Sequence, residues 1–193
     1  MILRYAITDP SHYTREPSTL KERLFTTLSS MRVDLICLRD KRAPNYSEPA
    51  RSFLSLRSDF PDVKFLLHTD VALAARLGAD GIHLPSHAFD RIAEAKEKGL
   101  WTIVSTHTLH EAEKAQREGA DAVTFSPIFD TPGKGPAQGL EKLKEIRDKI
   151  SIKLFALGGI VTEEQIEAVE RAGADGFASI RYFVPPMTPC KEI

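Results

Sequence analysis

Cysteine is scarce in this 193-residue chain. Cys37 and Cys190 stand far apart and form neither a Cys-x-x-Cys pair nor a disulfide framework, which fits a reducing compartment. An excess of charge of one sign is missing too. The 26 basic and 27 acidic side chains leave a formal net charge of −1, with no basic arm or acidic tail, so the broad attraction that draws proteins to nucleic acid or anionic membranes is absent. No apolar run approaches the roughly 18 residues of a membrane helix, and the first residues lack a long apolar core behind basic side chains. These absences leave a cytoplasmic globular protein, an enzyme or a ligand binder. Its hydrophobic fraction of 42% is enough for a buried core.

What the chain does have is alternation. The phrases GADGIHL, GADAVTF and GADGFAS begin at Gly78, Gly119 and Gly173. Each follows a helical pattern and opens an apolar run, so the glycine reads as a helix end and the run as a buried strand. Apolar runs cover residues 3–8, 33–39, 63–68, 80–84, 101–105, 122–125, 152–157 and 176–180. Between them lie stretches with helical spacing, such as Leu109, Ala112 and Ala115, and Thr162 before Glu164 and Gln165 is a helix cap. Eight near-continuous apolar strands alternating with amphipathic helices predict a (β/α)8 barrel, with a doubly wound open sheet as the alternative. Residues 1–193 then form one compact barrel domain near the lower size limit of roughly 200 residues. After the eighth run come Pro185, Pro186 and Pro189, which preclude a regular eighth helix. The uncovered outer face of the neighbouring strand points to this tail or to a second subunit as its cover, and a homodimer is expected.

In such a barrel the active site lies at the carboxyl ends of the strands. That rule selects Arg39 and Lys41 for an anion, and Ser105 and His107 after the fifth run, with His107 as the acid–base candidate. Thr131, Gly133 and Lys134 form a polar loop of the kind that closes over a phosphate. Gly158 and Gly159 offer unobstructed backbone N–H groups where barrels bind phosphate, with Ile180 and Arg181 beside them. A tight turn would also explain the glycine pair, but its place after the seventh run favours phosphate, while Arg181 fits a solvent-facing role as readily as a phosphate. His68, His83 and His87 raise zinc as a second idea, although no HxH or HExxH spacing supports it. His12 and His110 read as surface residues.

Together these stretches resemble the thiamine phosphate synthase and thiazole tautomerase (TenI-like) superfamily. The likeness runs from Tyr5 to Gly176 and is carried by Leu38 to Lys41, Gly78 to Ser86, STHTLHEA from Ser105, SPIFDT from Ser126 with Lys134, and ALGGI from Ala156. It implies a (β/α)8 barrel that makes the thiazole half of thiamine or joins it to the pyrimidine half.

Against the synthase pattern, Cys37 stands at the pyrimidine-holding glutamine, and His68 and Thr69 stand at an Asn-Asp pair that serves diphosphate and magnesium. A further magnesium aspartate falls near Ala88. The HLPS segment from His83 is similar to the tautomerases, and His107 matches their catalytic histidine. The expectation is therefore a metal-independent isomerase that aromatises a carboxythiazole phosphate. The alternatives are a divergent synthase, with magnesium placed through Asp70 or Asp90, and a non-catalytic binder of thiamine-pathway phosphates. The phosphate-contacting serine of the superfamily falls at or next to Arg181.

Overall fold

Every apolar run becomes a strand in the computed structural model, which describes residues 1–41, 43 and 45–184. The strands are β1 (Leu3–Ile7), β2 (Leu35–Leu38), β3 (Lys64–His68), β4 (Gly81–Leu84), β5 (Trp101–Thr106), β6 (Ala122–Phe125), β7 (Lys153–Leu157) and β8 (Gly176–Ser179). All pair in parallel with their sequence neighbours, and β8 closes on β1 through Leu3↔Gly176 to Ala6↔Ser179. The open sheet is thereby excluded. Among the described residues seven α-helices follow the first seven strands: α1 (Pro17–Ser30), α2 (Ser47–Leu54), α3 (Val71–Leu77), α4 (Ile92–Glu97), α5 (Leu109–Arg117), α6 (Gly139–Arg147) and α7 (Glu163–Arg171). None of them is long and apolar enough to cross a membrane.

The runs look continuous in sequence because each strand buries both faces. On β2, Leu35 and Cys37 point into the barrel while Ile36 and Leu38 meet the helices. Tyr5, Ile7, Leu66, Ile103 and Phe155 fill the rest of the barrel's centre. Burying a large apolar side chain on either face contributes about 1.5–3 kcal/mol before ordering costs.

Helix ends follow local chemistry. Thr162 forms a capping box with Gln165 at α7, and Thr108 Oγ1 accepts from Glu111 N at α5. Gly78, Gly119 and Gly173 take φ of 70°, 91° and 91° between helix and strand.

The aspartates that follow have a role of their own. Asp34, Asp80, Asp121 and Asp175 each precede an even-numbered strand. Their carboxylates accept from the backbone N–H of the second residue of the preceding odd strand, Arg4, Phe65, Thr102 and Leu154, at 2.7–2.8 Å. Each also pairs with a cation: Arg32, Arg57, Lys96 and Arg147 respectively. This fourfold ring closes the amino-terminal end of the barrel.

After β8 the chain makes one 3-10 turn at Arg181–Phe183, and no α-helix follows among the described residues. The proline-rich stretch from Pro185 lies outside them, as does Cys190. The outer face beside β8, for which the chain after the eighth run or a second subunit was the expected cover, is covered by this turn. Phe183 is fully buried and stacks on Phe177 at 5.7 Å between ring centroids, and its carbonyl accepts from Tyr13 Oη and Thr27 Oγ1.

Candidate active site

A cavity of about 630 Å³ opens at the carboxyl ends of the strands, and all eight strand ends contribute to its wall. Arg39, Lys41, Ser105, His107, Thr131, Lys134, Gly158, Gly159, Ile180 and Arg181 all line it. Gly133 does not, and instead makes the turn before Lys134 at φ 73°. Asp9, Ser11 and His12 after β1, Ser126 after β6 and Ser179 in β8 line it as well. His12 is exposed, as a surface residue should be, and also borders the cavity, and the strand-end rule applied to the first run would have selected all three residues after β1.

The two glycines after β7 are required by contact. A Cβ on Gly158 (φ 101°) would sit 2.8 Å from Pro127 Cα, and one on Gly159 (φ 71°) 2.7 Å from Asp130 O. Their loop packs against the loop after β6, where Ile128 N donates to Leu157 O and Phe129 N to Gly158 O. Ser179, two residues before Arg181, donates from Oγ to Ile160 O at 2.7 Å and accepts from Tyr182 N.

Arg39 is held by Asp9, its Nη1 lying 2.9 Å from Oδ2. Burial works to raise the Asp9 carboxyl, but hydrogen bonds from Ser11 and from Arg39 outweigh it and hold the carboxyl below its ordinary value. The neighbouring guanidinium of Arg39, then burial, then Lys134 push the Lys41 ammonium down from its ordinary value. Among the described lining residues, the four cations Arg39, Lys41, Lys134 and Arg181 face the single carboxylate of Asp9.

The histidines divide by environment. His83 points into the barrel, where Tyr5 Oη lies 2.8 Å from its Nδ1 and Ser105 Oγ 2.9 Å from its Nε2. Burial, then the nearby His68 and Arg39, push it well below its ordinary value, so the ring is neutral and links the barrel's centre to the cavity wall. Burial, then Arg39 and Lys41, push His68 down to about 4. His107 Nδ1 lies 2.9 Å from Ser126 O. That carbonyl only accepts, so in the neutral ring Nδ1 carries the proton and Nε2 keeps a lone pair. Thr69, between His68 and the α3 cap, is held at φ 68°, a conformation costing a β-branched residue of order 1–3 kcal/mol.

These placements correct two expectations. Zinc on His68, His83 and His87 does not fit, because both ring nitrogens of His83 are engaged by Tyr5 and Ser105. Magnesium through Asp70 or Asp90 does not fit either: Asp70 Oδ1 caps α3 by accepting from Leu73 N, Asp90 lies in a 3-10 turn, and neither lines the cavity. Magnesium takes oxygen ligands, and the one carboxylate present, Asp9, already accepts from Ser11 on Oδ1 and from Arg39 on Oδ2. Among the described residues no group of three His, Cys, Asp or Glu side chains is placed to hold a metal. Cys37 is fully buried in the barrel interior, and burial pushes its thiol up to about 12.

A family model described as thiamine monophosphate synthase matches residues 4–183. A putative thiamine-phosphate synthase 2 from Aquifex aeolicus is 42% identical over 118 residues, covering 60% of this chain and 62% of that protein, so the chain spans just under two thirds of its length. Thiamine-phosphate synthases of Methanocella arvoryzae and Methanoculleus marisnigri are 36% and 40% identical over 157 residues, 76% of this chain and 72% of each relative. The solved thiamine phosphate pyrophosphorylase from Pyrococcus furiosus superposes with a TM-score of 0.77 at 28% identity, covering 93% of this chain and 85% of that one. These names overturn the expectation of a tautomerase, an isomerase built around the His83 segment and His107. The wider resemblance stands, and the chain belongs to the thiamine monophosphate synthase family.

Proposed function

We propose that this barrel is a transferase of the thiamine-phosphate synthase type, joining a hydroxymethylpyrimidine diphosphate to a thiazole phosphate. The observation that carries the reading is one cavity lined by two sets of groups suited to anions. Arg39, Lys41 and Lys134 supply charge for a diphosphate. Gly158, Gly159 and Arg181 supply open backbone and a guanidinium at the ends of β7 and β8, where barrels of this type hold a phosphate. The names of the relatives support the same reading.

The coupling needs little from the protein beyond placement and charge. The bond from the pyrimidine methylene to oxygen breaks with its electron pair leaving on pyrophosphate, and the thiazole nitrogen lone pair makes the new carbon–nitrogen bond. Cations beside the diphosphate stabilise the charge that develops on the leaving oxygen. No proton moves in this balance, so His107 serves as a hydrogen-bonding wall residue through Nε2.

The test is pyrophosphate release by the purified protein given both substrates. Release that requires both is expected. No release, or equal release from the diphosphate alone, would overturn the reading.

A further inference from the structure

The synthase resemblance carries magnesium, yet the cavity lacks carboxylates to hold it. His68 ends β3 and Thr69 follows it, and His68 is engaged with Thr69, its Nδ1 lying 2.7 Å from Oγ1. A neutral imidazole and a hydroxyl make a poor set for a hard cation that prefers charged oxygens. What the site concentrates instead is positive charge. Asp9 takes only one arm of the Arg39 fork, and a guanidinium has five donors, so N–H groups remain for a phosphoryl oxygen. Lys41 follows two residues later, and Lys134 is turned toward the same cavity by the loop in which its N–H donates to Thr131 O at 3.1 Å. Arg39, with burial and Lys134 behind it, disfavours the charge on Lys41. A multiply charged anion seated among them would relieve that repulsion.

We propose that the protein binds a diphosphate directly on Arg39, Lys41 and Lys134, with no divalent cation between protein and phosphate. The proposal rests on the synthase reading for the identity of the diphosphate. In the coupling, the electron pair of the broken carbon–oxygen bond stays on the leaving pyrophosphate, and the ammonium and guanidinium groups neutralise it where a metal would otherwise do so. No additional reactant enters the balance.

The experiment is calorimetric titration of the protein with inorganic pyrophosphate, in excess chelator and again in excess magnesium. Saturable binding in chelator is expected, with no gain in affinity on adding magnesium. Lys41→Met and Lys134→Met should each weaken it about tenfold or more, as expected for losing a charge-assisted hydrogen bond. Lys134→Arg should restore much of the loss, which separates charge from loop folding. Pyrophosphate binding that requires magnesium, or chelator-stable binding indifferent to both methionine variants, would overturn the proposal. Coupling assays keep the two readings apart. Product formed only with magnesium overturns metal independence and leaves the synthase reading intact. Pyrophosphate bound in chelator without coupling under any condition overturns the synthase reading and leaves the anion site standing.

Discussion

His107 shows how a residue's place and its role separate. It stands where a strand-end acid–base group should stand, and its Nδ1 contact with Ser126 O fixes which nitrogen keeps a lone pair. A coupling reaction has no proton for it to move. His107→Asn is therefore expected to slow coupling by less than about tenfold, well short of the 10²–10⁴ typical of a lost general acid or base. Steady-state rates of the two proteins check this, and a loss of a hundredfold or more would restore a proton-transfer role. Most lining residues were legible because each follows an apolar run. The Tyr5–His83–Ser105 chain was not, since its members are separated by 78 and 22 positions and meet only when the barrel closes.

The strands were the most legible elements, with predicted and observed bounds differing by at most two residues at either end. Burial on both faces writes a strand into the sequence as a plain apolar run. The aspartate ring was only half visible. GAD was recognised through its glycine, which marks the helix end, while the carboxylate's acceptance of a backbone N–H from a neighbouring strand leaves no local signal. Asp34, preceded by Val33 and without the glycine, escaped the pattern altogether yet makes the same bond to Arg4 N. Asp121→Ala would strip Thr102 N–H of its side-chain acceptor and Lys96 of its partner. A loss of about 1–3 kcal/mol is expected. Because the ring lies at the end opposite the cavity, coupling per folded molecule should be unchanged. Urea titration with a parallel activity assay checks both halves, and a stable variant with impaired coupling would contradict this division of the barrel.

Across the whole molecule, the same barrel that organises the site makes it acid-sensitive. Burial pushes His68 down to about 4 in the folded protein, below its ordinary 6.5, and pushes His83 well below that ordinary value too. Between those values the unfolded chain binds protons that the folded chain refuses. This contribution to stability is full above about pH 6.5 and is lost as pH falls toward 4, by up to about 1.4 kcal/mol per pH unit for each histidine. The urea midpoint should drop between pH 7.5 and pH 5, and less steeply in His68→Asn. An unchanged midpoint would contradict the burial of these rings.

The choice of reaction was the least legible property of all. It turned on four residues from His83 and on missing acids after β3 and β4, whereas the similarity to synthases extends along residues 4–183. Missing metal ligands describe how a site handles charge and leave open which bond it makes.

The most direct measurement is the mass of any product formed when the protein is given the pyrimidine diphosphate and the thiazole phosphate together in excess chelator. A product with the mass of the joined phosphate, formed alongside equimolar pyrophosphate and diminished in Lys134→Met, is the predicted result. Recovery of both substrates unchanged, with or without magnesium, would contradict the account.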